Sequence, residues 1–167
     1  MELTLRPTTM ADLAEADALL ARSYPKQLKE AYPPSVVVTA LPLLARAQPG
    51  LVASGHYYAA LAEGRIVGVG GWSMDRRAPG LGHVRHVVTD DRLVRRGIGR
   101  AVLTHALAAA RGEGIVRMEC HATRNGVPFY AALGFVEVGA MEVPLQPGIT
   151  FPAVRMVLDL AQVRLQR

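Results

Sequence analysis

Apolar and polar residues repeat with two periods along this chain of 167 residues. The helical period is clearest in "GIGRAVLTHALAAARGEG", where Ile98, Val102 and Ala106 form one stripe and Gly112 supplies the stop. A second helix is predicted for "TTMADLAEADALLARSY", which opens with a threonine cap. "NGVPFYAAL" predicts a short helix that ends at Gly134, and "VVVTALPLLARAQ" fits either a helix or a strand.

Short β-rich runs supply the predicted strands. They are "LTLRP", "GHVRHVVT", "IVRMECHA", "FVEVGAMEVPL", "PAVRMVLDL" and two runs that flank Glu63-Gly64, a turn pair that predicts a hairpin. One strand–helix–strand crossover extends from Val84 through Val116, so its two strands should be parallel neighbours. Strands mixed with a few helices predict an α/β or α+β fold, and the length fits a single domain over residues 1–167.

The composition limits which kinds of molecule the protein can bind and where in the cell it can be expected. The formal charge of +5 permits an anionic partner, either nucleic acid or a phosphorylated cofactor. Aromatic content of 5% gives no arginine–aromatic surface for stacking bases, so we expect no nucleic acid. The single cysteine, Cys120, excludes an internal disulfide and suits a reducing cytoplasm. With no leader-like start and no apolar run near the ~20 residues of a membrane span, we expect a cytoplasmic protein without a membrane partner.

The segment "TDDRLVRRGIGRAVL" places arginines and two glycines at a predicted helix entry. Such an entry presents unpaired N–H groups and a positive dipole end, so it can bind a diphosphate. The alternative is that Gly97 and Gly99 only permit a tight turn and that the arginines are solvated. The P-loop pattern is absent, and Val102 stands where the dinucleotide fingerprint needs a small residue.

The residues from Val84 to Val138 resemble the GNAT superfamily of acyl-CoA-dependent N-acetyltransferases. "VRRGIGR" resembles that family's pyrophosphate loop, and "ATRNGVPFYAALGFVEVG" resembles its second signature, a short helix carrying a tyrosine before Gly-Phe. Two positions depart from the pattern: Val94 stands where the loop usually begins with Arg or Gln, and Asp91 replaces a common proline. Neither should abolish binding, because backbone N–H groups are expected to hold most of the phosphate.

The resemblance implies a mixed, mostly antiparallel sheet with helices on both faces and a splayed parallel strand pair. It implies acetyl-CoA as cosubstrate, no metal, and direct attack by a primary amine in a ternary complex, with Tyr130 as the general acid. The implied cofactor-binding residues are Val87, Val88, Thr89, Arg95, Arg96, Gly97, Ile98, Gly99, Arg100 and Asn125. Asn125 could equally cap the short helix, and Cys120 is expected to be a buried small residue rather than a nucleophile.

The attacking amine must lose a proton, and the general base that accepts it could be Glu119, His86 or ordered water. His83 and His86 should face opposite sides of a strand, so they predict no metal pair. The acceptor is undefined, although the first helices and late strands should contact it, and a homodimer is possible. A module that only binds CoA, or one that binds nucleic acid, is the alternative class; Tyr130 together with an intact Gly97-Ile98-Gly99 favours the enzyme.

Overall fold

A seven-stranded sheet forms the centre of the molecule, in the order β1-β2-β3-β4-β5-β7-β6. The computed structural model describes residues 1–161. The strands are β1 Thr4–Pro7, β2 Tyr57–Ala62, β3 Arg65–Met74, β4 Leu81–Thr89, β5 Arg117–Ala122, β6 Val136–Gln146 and β7 Ile149–Asp159. The helices are α1 Leu13–Lys29, α2 Pro34–Leu44, α3 Pro49–Val52, α4 Ile98–Gly112 and α5 Val127–Ala132.

Helices cover both faces of the sheet, as the resemblance implied. The apolar stripe of α4 packs Leu103, Ala106 and Leu107 against one face, in a cluster that includes Trp72 and Met118. On the opposite face, α1 buries Ala16, Leu19 and Leu20 against residues of β2, β3 and β4. The two clusters explain why both helices show a one-sided apolar pattern in the sequence.

The ambiguous segment after the first helix is helical up to Leu44, and its last four residues lie outside α2. Pro34 occupies the first turn of α2, where its fixed φ suits a helix and its missing N–H costs nothing. The predicted hairpin is confirmed, because Glu63 and Gly64 connect β2 and β3 with φ values of 51° and 77°. Such a pair of positive φ angles is typical of tight hairpin turns. No helix within residues 1–161 combines the length and apolar character needed to cross a membrane.

The predicted parallel pair is β4 and β5, and the other neighbouring strands of the sheet are antiparallel. Pairing between β4 and β5 covers only three positions and ends at His83 opposite Glu119. Beyond that point β4 contains a register shift against β3, and His86 has a φ of 41°. A bulge of this kind bends a strand. The two central strands therefore diverge, and the sheet opens between them.

Candidate active site

A cleft of about 1150 Å³ lies at the point where β4 and β5 diverge. Its walls come from β4, the start of α4, α5, and parts of α1 and β6. Because pairing stops at His83, the backbone of later β4 residues on this side has no β5 partner to bond. Unpaired backbone groups facing a cleft are available to a ligand.

The start of α4 forms one end of the cleft. Gly97 precedes the helix with a φ of 76°, and a Cβ built there would meet nothing within 4 Å. Gly99 is different, because its Cβ would come within 3.2 Å of Thr89 Oγ1 and 3.4 Å of the Phe129 ring. The first N–H groups of the helix lack intrahelical partners. This end of the cleft therefore combines open backbone donors with the positive end of a helix dipole.

Most of the residues predicted to bind the cofactor line this cleft. They are Val87, Thr89, Arg95, Gly97, Ile98, Gly99, Arg100 and Asn125. The other two lie elsewhere: Val88 is buried on the α1 side of the sheet, and Arg96 lines a separate depression beside the hairpin turn. Arg95 itself has a φ of 63°, so the backbone of this turn is left-handed at two of three successive residues.

Tyr130 lies on α5 and lines the opposite wall. Its ring packs edge-on against Phe129 and Phe135, at centroid distances of 5.1 and 5.5 Å. Burial is the main cause that raises the pKa of Tyr130 well above its usual value, so the phenol is protonated at neutral pH. A protonated hydroxyl in an apolar wall can donate to a charge that forms beside it.

Asn125 does not cap a helix. Its Nδ2 donates to the carbonyl of Gln27 on α1 at 2.5 Å, and no side-chain cap bond begins the short helical segment. The capping alternative is therefore wrong. The side chain instead ties the α5 entry to α1, while Gln27 Nε2 donates to the carbonyl of Thr89 at 3.3 Å. Gln27 thus links the two walls of the cleft.

Acidic residues that precede the glycine turn hold it against α1. Asp90 is buried, and its carboxylate accepts hydrogen bonds from Arg92 and Arg22. The Arg92 hydrogen bond is the main cause that lowers the pKa of Asp90 to about 2. Asp91, which stands in place of the family's common proline, pairs with Lys26 at 2.7 Å and with the Ser23 hydroxyl. Asp91 therefore holds this turn to α1 through side-chain hydrogen bonds, where proline would only restrict the backbone.

The two candidate bases have different surroundings. His86 lines the cleft, its Nδ1 is buried without a hydrogen-bond partner among the described residues, and burial lowers the pKa of its imidazole. Glu119 is buried and paired with Arg155, and it is not among the residues that line the cleft in the part of the chain described. Cys120 is buried as expected, and burial raises the pKa of its thiol to about 12.

Comparison with known proteins decides the family. The family described as Acetyltransferase (GNAT) domain matches residues 43–159. The chain belongs to the GNAT acetyltransferase family. N-alpha-acetyltransferase RimI of Mycobacterium tuberculosis is 31% identical over 144 residues, which cover 83% of this chain and 85% of that protein. Glucosamine 6-phosphate N-acetyltransferase 1 of Oryza sativa is 35% identical over 80 residues, so the match spans 46% of this chain and 48% of that relative.

Solved structures agree on the GNAT fold. A GCN5-related N-acetyltransferase from Rhodopseudomonas palustris superposes with a TM-score of 0.78 at 18% identity, covering 95% of this chain and 96% of the other. PaiA N-acetyltransferase from Thermoplasma acidophilum, solved in complex with coenzyme A, gives 0.73 at 14% identity and covers 95% and 99%. The mixed sheet, its parallel pair and the helices on both faces are those of this fold.

The far end of the cleft in this GNAT domain is formed by segments expected to contact the acceptor. Tyr24, Glu30 and Leu44 come from the first helices, and Val143 and Phe151 from the late strands. Tyr32 links these segments, since its hydroxyl donates to the carbonyl of Pro152 at 2.7 Å and accepts from the Arg124 N–H at 2.9 Å. This wall is mostly apolar, with Glu30 among its charged side chains.

Proposed function

We propose that this chain transfers an acetyl group from acetyl-CoA to a primary amine by direct attack within a ternary complex. The observation that carries the proposal is the cleft itself, which connects the start of α4 to the gap between β4 and β5 and to Tyr130. One wall can hold a diphosphate, the gap can hold an extended chain, and the far end can admit an amine. The whole of residues 1–167 would form one acetyltransferase domain located in the cytoplasm.

The diphosphate of CoA would bind at the start of α4. N–H groups at Ile98, Gly99 and Arg100 would donate to it, and Arg95 supplies a charged rim. The backbone of Val87, Val88 and Thr89 would hold the pantetheine arm and polarise the thioester oxygen. Preorganised N–H donors of this kind stabilise charge that develops in the transition state. Asn125 and Arg96 complete the proposed contacts, although Arg96 must turn toward the cleft to reach the cofactor.

Tyr130 would protonate the departing CoA thiolate. A phenol is a weaker acid than a thiol in water, with usual pKa values of about 10 and 8.5. Transfer becomes useful where a forming thiolate meets a positioned donor in a site that excludes water. The edge-on contacts with Phe129 and Phe135 provide such a setting.

The Tyr130→Phe variant tests this role, because it keeps the ring and removes only the hydroxyl. We expect kcat to fall roughly ten- to ten-thousand-fold while CoA binding changes little. Steady-state kinetics with an acceptor found by screening would measure it. Tyr58→Phe is the matched control, since that buried tyrosine lies in the core beside Trp72 and should retain wild-type kcat. If Tyr130→Phe turns over at the wild-type rate with chemistry limiting, Tyr130 is not the acid.

The attacking amine must lose a proton, since an amine such as that of lysine has a pKa of about 10.4. His86 is the side chain best placed to receive it, because its imidazole is neutral at physiological pH and borders the cleft. Ordered water is the second route. Glu119 fits less well, because Arg155 already neutralises it.

The acceptor is proposed only as an amine-bearing molecule. By their names, the related proteins act on acceptors as different as glucosamine 6-phosphate and an α-amino group. Screening amines, amino acids, antibiotics and peptides for release of the CoA thiol would identify the class. Salt-sensitive DNA binding without thiol release would instead favour the non-catalytic alternative.

A further inference from the structure

Polar side chains from β4 and β5 meet on the face of the sheet opposite α4. Met118, Cys120 and Ala122 of β5 pack into the core beneath α4, so the alternating residues Glu119 and His121 point to the other face. His83 lies directly opposite Glu119 in the parallel ladder. This trio is separate from the helix entry and from Tyr130.

We propose that His83, Glu119 and His121 form a binding site for Zn²⁺. His83 Nδ1 lies 3.4 Å from Glu119 Oε2, His121 Nε2 lies 3.8 Å from the same oxygen, and the three ligand atoms all lie within 4.8 Å of one another. Zinc bonds of about 2.0–2.2 Å in tetrahedral geometry place ligand atoms about 3.3 Å apart. Small rotations of exposed His121 would close the remaining gap.

The surrounding residues orient two of these ligands. Asp75 Oδ2 lies 2.7 Å from His83 Nε2, and the Asp75 carboxylate is itself fixed by the N–H groups of Arg77 and Ala78 at 2.9 Å each. A carboxylate bonded to the outer nitrogen of an imidazole is the arrangement that fixes metal-binding histidines. Arg155 likewise donates through Nε to Glu119 Oε1, which leaves Oε2 for a metal.

Two imidazoles and one carboxylate select zinc over magnesium and calcium, which prefer oxygen ligands. Three protein ligands leave a fourth position for water or for a polar group of a bound molecule. His121 also lines the cleft, so the ion would lie in the wall of the cleft. The ligands are distinct from the residues proposed to bind CoA, and zinc binding is measured without turnover, so this proposal is tested independently of acetyl transfer.

Zinc binding can be measured directly on chelator-treated protein. Titration with Zn²⁺ against a chromophoric chelator should give one ion per chain, and Co²⁺ should give the visible absorption of a tetrahedral nitrogen–oxygen site. Zn²⁺ should also raise the melting temperature. His121→Gln removes a ligand from an exposed position and should abolish these effects. His56→Gln is the matched control, because His56 pairs with Glu113 without a third ligand among residues 1–161 and should leave zinc binding unchanged.

Asp75→Asn tests the orienting role of that carboxylate and should weaken zinc binding roughly 10- to 100-fold. Melting curves without metal establish that each variant is folded. The proposal is wrong if the wild-type protein binds no stoichiometric Zn²⁺, or if His121→Gln binds it as tightly as wild type.

Discussion

The two glycines at the start of α4 serve for different physical reasons. Gly97 has a left-handed backbone with open space above it, whereas Gly99 has ordinary helical geometry but faces Thr89 and Phe129 at close range. A side chain at Gly97 would therefore project into the region proposed for the diphosphate. One at Gly99 would instead press on the protein. A substitution at Gly97 should therefore affect ligand binding with only a small effect on folding.

Replacing Gly97 with Leu should abolish the rise in melting temperature that CoA or acetyl-CoA produces, because the new side chain would block the helix entry. The unliganded fold should survive with a loss of about 1–2 kcal/mol, the usual cost of a left-handed residue. Gly55→Leu is the control: its φ is 82° and nothing lies within 4 Å of its Cβ. That variant should share the backbone cost and keep the CoA response. Unchanged CoA affinity in Gly97→Leu would contradict the proposed site.

At the scale of residues, the sequence predicted those site residues that stand in a short recognisable motif. Gly97, Gly99 and Tyr130 stand in short recognisable motifs, and the structure brings all three to one cleft. Contacts across long sequence distances were missed, such as those of Lys26 with Asp91. The proximity of His83, Glu119 and His121 was not predicted for the same reason, because Glu119 and His121 lie on the strand next to that of His83.

At the scale of elements, the backbone of β3 at Gly71 lies very close to the backbone of the segment that begins β2. A Cβ at Gly71 would come within 2.1 Å of the His56 carbonyl oxygen and 2.7 Å of Tyr57 Cα, both backbone atoms of the neighbouring segment. Side chains can rotate away, but these atoms move only with the strand. Glycine at this position therefore sets how closely β2 and β3 lie.

Gly71→Ala should lower the free energy of unfolding by about 1–3 kcal/mol or more, because the strands must separate to admit the methyl group. Gly139→Ala in β6 offers a comparison, since nothing lies within 4 Å of that Cβ and its φ is not positive. It should be neutral or stabilise by up to about 1 kcal/mol. Denaturant unfolding would measure both variants. Equal stability of the two would show that β2 and β3 can adjust freely.

Elements were predicted well where one pattern dominated. The hairpin, α4 and the crossover from β4 to β5 follow from turn residues and from helical period. The run "VVVTALPLLARAQ" stayed ambiguous, because its apolar residues lack a clear period; in the structure Val36, Val37, Leu41 and Leu44 of this run pack with residues of the late strands. The bulge at His86 was not predicted, since no residue there favours a positive φ.

At the scale of the whole molecule, β1 and β6 are the two edge strands of the sheet within residues 1–161. The β6 edge exposes Val136 and Val138, with 64% and 53% of their surface accessible. An apolar open edge is a surface on which a second strand can pair. We therefore propose a homodimer that uses β6.

Sedimentation velocity at micromolar concentration should show a dimer, and Val138→Lys should shift it toward monomer by placing a charge on the edge. A charge on the other edge strand, as in Leu5→Lys, is not a suitable control, because Leu5 packs against buried Ile98 and Val102 of α4. Arg65→Glu at the exposed hairpin turn alters charge away from β6 and should leave the dimer intact. A wild-type protein that sediments only as a monomer would contradict the proposal.

The strand order also has a consequence for synthesis on the ribosome. The chain makes β6 before β7, yet β7 lies between β5 and β6 and pairs with both. Until β7 emerges, β5 has an unpaired edge and β6 has no neighbour to join. Nascent chains with open edges are prone to associate. Tyr130 packs against a core cluster that includes Met156 and Leu158 of β7, so its wall of the cleft is completed late. A nascent chain stopped before β7 should remain dependent on chaperones.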